Sequence, residues 1–160
     1  MMYVIQTKPK QEDYLLWQLK HIGINAYCPA ERLTIRSKGK WFLQEKKIFS
    51  GYIFIETEYS AELYQKIRRM NGFIRFLGEP SELPQNEAEQ INYLCNNGKP
   101  ITSSKYIKNR NSFVFVSGIL SKTSDFKIEK IYPRQKRAKI SVSINGKNFK
   151  VFLPIEKSEL

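Results

Sequence analysis

The chain is poor in the residues from which catalytic and metal centres are built. Of its 160 residues two are cysteine, Cys28 and Cys95, and one is histidine, His21. With no Cys-x-x-Cys pair and a single imidazole, neither a zinc site nor a disulfide framework is expected, and the thiols read as buried and inert in a reduced compartment. Acidic residues are scarce as well, 15 against 27 Lys and Arg, and they are scattered. No nucleophile stands beside a base, no carboxylates pair, and Ser50-Gly51 lacks the flanking glycines of a nucleophile elbow. No enzyme, cofactor or metal is therefore expected. No apolar run approaches the ~20 residues that span a bilayer, and no basic-then-apolar leader opens the chain. The expectation is a cytoplasmic, monomeric protein with no membrane partner.

What is abundant is positive charge, and it is unevenly placed. The formal net charge is +12. Residues 1–100 hold 14 Lys/Arg and 11 Asp/Glu, net +3, whereas residues 101–160 hold 13 and 4, net +9. Such an excess on a short segment points to a polyanionic partner, because a merely soluble surface does not require it.

Apolar periodicity divides the chain in two. Tyr3 to Thr7 reads as a strand; Leu15, Leu19 and Ile22 at i, i+4, i+7 predict a half-buried helix stopped by Gly23. Ala26 to Ile35 reads as strand interrupted by Pro29, and Ser37-Lys38-Gly39-Lys40 turns it so that Trp41-Phe42-Leu43 returns antiparallel to Leu33-Thr34-Ile35. Ser60 is placed to cap a second helix with Leu63, Ile67 and Met70 on one face. Phe73 to Leu77 is a further strand, and Gly78, Pro80 and Pro84 lead into a third helix carrying Ala88, Ile91, Leu94 and Cys95. The polar stretch after Asn96 reads as a linker. Beyond it only strands are expected: Phe113 to Val116, Lys127 to Tyr132, Ala138 to Ile144 and Lys147 to Leu153. Asn145-Gly146 joins the last two, as a type I′ turn needs positive φ at both central positions. The fold class is α+β: an antiparallel sheet with helices over residues 1–98, a linker over 99–111, and a small β-barrel over 112–160.

One stretch organises the first half. Lys46-Lys47-Ile48-Phe49-Ser50-Gly51 runs into Tyr52-Ile53-Phe54-Ile55, where aromatic and β-branched residues alternate. Tyr52 and Phe54 share one face and Ile53 and Ile55 the other. Either the isoleucines are core and Phe49, Tyr52 and Phe54 form an apolar docking patch beside a basic edge, or both faces are buried. This stretch resembles the Phe-Pro-Gly-Tyr-hydrophobic-Phe-hydrophobic signature of the NusG family of transcription elongation factors, with Ser50 in place of the usual proline. Tyr3-Val4-Ile5-Gln6-Thr7, Gly39-Lys40-Trp41, Asn71-Gly72-Phe73 and Phe76-Leu77-Gly78 follow the family's order. The resemblance implies an N-terminal NusG (NGN) domain over 1–98 that docks on the clamp coiled coil of RNA polymerase through Phe49, Tyr52 and Phe54. It also places Gln11, Gln18 and His21, on the outer face of the first helix, near the displaced non-template DNA strand.

The tail resembles a KOW domain, opening at Phe113-Val114-Phe115-Val116-Ser117-Gly118. Ser112 stands where an acidic residue is usual. The contacts of the general elongation factor are replaced by cations: Lys127, Lys130, Arg134, Lys136, Arg137 and Lys139, with Tyr132 among them. Clustered cations with an aromatic are the ingredients of a surface that contacts phosphate and stacks bases, so RNA, as a hairpin, is the expected ligand. Alternation leaves Ile128 and Ile131 on one side only if the strand bulges near Glu129. The reading is a specialised, LoaP-like antitermination factor. Its rivals are a ribosome-associated KOW protein acting in translation and a nucleic-acid enzyme.

Overall fold

The structure, a computed structural model, describes residues 1–78, 82–122 and 126–159. Pro80 lies outside the described residues. The first half runs β1 (Met2–Thr7), α1 (Glu12–His21), β2 (Asn25–Tyr27), β3 (Ala30–Ser37), β4 (Lys40–Lys47), β5 (Tyr52–Glu56), α2 (Ala61–Arg68), β6 (Phe73–Phe76) and α3 (Gln85–Cys95). The second half contributes β7 (Ser104–Asn109), β8 (Ser112–Ser117), α4 (Ile119–Lys122), β9 (Lys127–Tyr132), β10 (Arg137–Ile144) and β11 (Lys147–Lys157). The α+β class stands.

The first sheet has the order β2-β5-β1-β6, with β1 antiparallel to both neighbours. Its period-2 pattern separates two apolar layers. Tyr3, Ile5, Ile53 and Ile55 face α1 and α2, where they meet Leu15, Leu19 and Ile67. Met2, Val4 and Phe54 face the other way, toward α3 and the second half of the chain. The α1 stripe is shorter than its spacing suggests, because the helix ends at His21 and leaves Ile22, its C-cap, exposed. Gly23 follows at φ +85, the left-handed conformation expected of a helix stop. Ser60 caps α2 through its Oγ, which accepts the Leu63 N–H at 3.1 Å.

β3 and β4 pair along their length with each other, as a hairpin outside the main sheet, in the register Thr34 to Leu43, Ile35 to Phe42 and Arg36 to Trp41. The expected linker is corrected by the structure. Ile101 is buried, its N–H donating to Ala30 O at 2.8 Å and its carbonyl accepting from Arg32 N at 2.7 Å, and residues 104–109 form β7. β7 pairs antiparallel with β8, the next strand in the chain, and parallel with β11, which is remote in sequence.

The second half is a five-stranded sheet of order β8-β7-β11-β10-β9. β10 alternates strictly, with Ala138, Ile140, Val142 and Ile144 all fully buried. Asn145 and Gly146 take positive φ at the β10–β11 turn, 51° and 74°. β11 continues past Leu153 through Pro154. Proline is tolerated there because β11 pairs with β10 up to that residue and with β7 from Ile155 onward. The β9–β10 register jumps from Lys139–Lys130 to Ile140–Ile128, so Glu129 is bulged out and Ile128 and Ile131 return to one side. Buried residues from both halves form one continuous apolar cluster, with Phe54, Ile91 and Leu94 from the first and Ile140, Leu153 and Ile155 from the second.

Candidate functional site

Three surfaces carry the residues singled out from the sequence. On the first, Phe49 and Phe54 are buried and Tyr52 is half-buried. Phe49 and Phe54 meet edge to face at 5.4 Å between centroids. Phe149 of β11 covers them from the second half, 6.2 Å from Phe49 and 5.5 Å from Tyr52, with ring planes near perpendicular in both pairs. Edge-to-face packing of this kind is the favourable quadrupole arrangement. The aromatic face is thus not an open patch; it is the seam between the halves.

The seam is pinned by polar contacts at two points. Glu31 on β3 is buried and is touched by the guanidinium of Arg137. The two form an ion pair at the seam, with 1% of the Glu31 side chain and 16% of the Arg137 side chain exposed. Burial pushes the Glu31 carboxyl above the usual carboxylate range, and the charge of Arg137 opposes that rise. Glu87, in the first turn of α3, accepts from Asn145 N at 2.6 Å, Ser143 Oγ at 3.0 Å and Gly146 N at 3.3 Å. Neither carboxylate stands out in sequence, because its partner lies on a distant element.

The basic residues of the second half differ in burial and in contacts. Lys127, Lys130, Arg134 and Lys136 are exposed, and Lys139 is half-buried on β10. Lys130 lies over the Tyr132 ring at 5.0 Å. Lys150 contacts Glu129, and with Lys139 and Lys127 nearby it holds the Glu129 carboxyl below its usual range. Lys136 reaches across to Trp41 of the β3–β4 hairpin, 4.9 Å from the ring centroid. Arg137 is set apart from the others: its guanidinium touches Glu31 and lies 5.5 Å from the Phe152 ring, with 16% of its side chain exposed.

The third surface is α1. Gln18 grips the loop before β6, its Nε2 donating to Asn71 O at 2.9 Å while its Oε1 accepts from Asn71 N at 3.4 Å. Gln11 lies so close to Gly72 that a Cβ there would come within 3.2 Å of it. These two therefore tie the helix to its neighbour. His21 stacks on Trp17 at 5.1 Å, and Trp17 on Tyr14 at 6.3 Å. Trp17 is 59% exposed. This ladder went unread in the sequence although Tyr14, Trp17 and His21 recur at helical spacing.

Cys28 and Cys95 are free, with burial pushing each thiol up to about 12. Among the described residues no group of three His, Cys, Asp or Glu is placed to hold a metal, and no helix is long and apolar enough to cross a membrane.

A family model described as transcription termination factor nusG matches residues 2–92, the segment that carries Phe49, Tyr52, Phe54 and the α1 surface. The chain belongs to the NusG family. Among solved structures, one described as domain interaction in Thermotoga maritima NusG aligns with a TM-score of 0.60 at 21% identity, over 96% of this chain and 93% of that one. That likeness of fold extends through the second half. A structure of the MjSpt4:Spt5 complex aligns over 97% of this chain and 94% of that one, at 13% identity and a TM-score of 0.36. No curated protein matches the chain. Membership of the NusG family supports a role in transcription elongation or antitermination.

Proposed function

We propose that this member of the NusG family is a non-enzymatic, LoaP-like antitermination factor: its first half docks on the clamp coiled coil of RNA polymerase, and its basic second half, a KOW-type unit, binds an RNA hairpin. The observation that carries the reading is the family match over residues 2–92 joined to a second half of net charge +9. Docking uses the aromatic face of Phe49, Tyr52 and Phe54, so Phe149 must first withdraw from it. RNA binding uses Lys127, Lys130, Tyr132 and Arg134, with Lys139 beside them. The stacked α1 surface, His21 with Trp17, is the part suited to non-template DNA.

Titration of the full chain against core RNA polymerase and against an RNA hairpin tests both halves. Tyr52→Ala should weaken polymerase binding by on the order of 2 kcal/mol, as loss of a buried aromatic anchor does. Phe149→Ala should strengthen it by uncovering the face. If neither variant changes polymerase affinity, that face has no part in docking. On the RNA side, four phosphate contacts give a log-log salt slope of about −3. Replacing Lys127, Lys130 and Arg134 together by alanine should remove most of the affinity and leave polymerase binding intact; unaltered RNA affinity would reject the basic surface.

A further inference from the structure

The β3–β4 hairpin carries an aromatic that the core does not use. Trp41 is 56% exposed and Leu43 is 73% exposed, on a two-stranded ribbon that belongs to neither larger sheet among the described residues. Two cations lie over the Trp41 ring: Arg36, its cross-strand partner, with Cζ 5.8 Å from the centroid, and Lys136 from the second half, with Nζ at 4.9 Å. The site therefore exists only when the two halves are together.

Its parts are held in place. Lys136 sits at φ 57 in the turn before β10, its N–H donating to Pro133 O at 3.2 Å and its carbonyl accepting from Ile155 N at 3.0 Å. The root of the hairpin is fastened to Ile101 through Arg32 N, and to Arg137 through Glu31. Charge near the tip is of one sign. Arg36, Lys38 and Lys40 surround the turn, whereas the hairpin carboxylates lie toward the root, Glu31 against Arg137 and Glu45 paired with Arg32 at 3.3 Å.

We propose that Trp41, with Arg36 and Lys136, is a composite stacking site for an unpaired base of the bound RNA. The inference rests on the RNA reading above and adds to it the residue that distinguishes a loop from a stem. Cations alone neutralise phosphate without regard to sequence or pairing. An exposed indole among them offers a face on which a splayed base stacks while the displaced ammonium and guanidinium take the adjacent phosphates. A helical stem keeps its bases stacked internally and cannot supply that partner.

The chain has two tryptophans, Trp17 and Trp41, so Trp17→Phe leaves Trp41 as the sole indole reporter. Full-length Trp17→Phe protein is titrated with an RNA hairpin bearing an unpaired loop, with a fully paired RNA duplex, and with heparin, a polyanion without bases. The loop RNA should quench Trp41 emission saturably, and heparin should not. In a second arm, Trp41→Ala should weaken loop-RNA binding about tenfold, the contribution of one base stack, and change duplex binding less than about twofold. Trp41→Phe should retain most of the affinity. Circular dichroism and thermal melting confirm that the variants, altered at an exposed position, stay folded. Loop RNA that binds with unchanged emission and equal affinity in Trp41→Ala overturns the stacking site and leaves the basic surface standing. Equal quenching by heparin overturns stacking as well. Absence of any RNA binding by the full chain rejects both.

Discussion

Glu87 accepts the backbone N–H of Asn145 at 2.6 Å, joining the first turn of α3 to the tip of the β10–β11 hairpin. Asn145 answers with its side chain, Nδ2 donating to Leu77 O at 2.6 Å. The hairpin turn that local sequence predicts is therefore also the place where the second half is fastened to the first. Hydrogen bonds to a charged acceptor contribute about 1.5–3 kcal/mol each, and losing the acceptor leaves part-buried donors unpaired. Glu87→Ala should lower stability by about 2 kcal/mol and Glu87→Gln by less, measured by urea unfolding. An unmoved midpoint in both would show that the contact is idle.

The Glu31–Arg137 contact predicts a pH dependence. Burial raises the folded-state pKa of Glu31 above the ordinary 4.5, Arg137 opposing. The folded protein therefore holds this proton more tightly than the unfolded chain does. The stabilisation is present in full below 4.5 and is lost as pH rises through the folded value. Arg137→Ala removes the opposing charge and should cost on the order of 3 kcal/mol near neutrality, as an uncompensated buried carboxylate does. The cost should shrink on acidification. Glu31→Gln should flatten that part of the pH profile. Urea midpoints between pH 4 and 7 decide it, and parallel profiles for wild type and both variants would contradict it.

Gly118 admits no side chain. It lies at φ +88, and a Cβ there would fall 2.5 Å from Ser104 Cα and 2.6 Å from Ser104 Oγ. The same Oγ accepts the Leu120 N–H at 3.2 Å, at the start of α4. Because the clash is partly with backbone, Gly118→Ala should destabilise by on the order of 3 kcal/mol, combining left-handed strain with displacement of Ser104. A melting temperature within a degree or two of wild type would refute it.

Both cysteines should be unreactive in the native state. With thiols pushed up to about 12, the thiolate is rare at pH 8, and modification by a disulfide reagent should run on the order of a thousandfold slower than in urea. Rapid native labelling of both thiols would show that burial does not protect them.

The sequence by itself determined the elements whose cause is local. The alternation of β10, the Asn145-Gly146 turn, the Ser60 cap and the two-faced Tyr52-Ile53-Phe54-Ile55 strand each follow from side-chain period or backbone φ, and each is found in place. It also displayed the family signature and the charge partition. What covers the aromatic face was decided only by tertiary structure, since Phe149 reaches Tyr52 across 97 residues that carry no local signal of the contact. The same holds for Arg137, one cation in a basic run until Glu31 is brought against it, and for the parallel pairing of β7 with the remote β11. Periodicity reports which face of an element is apolar; it does not report which distant surface arrives to bury that face, and at this seam the arrival separates interior residues from those left to meet a partner.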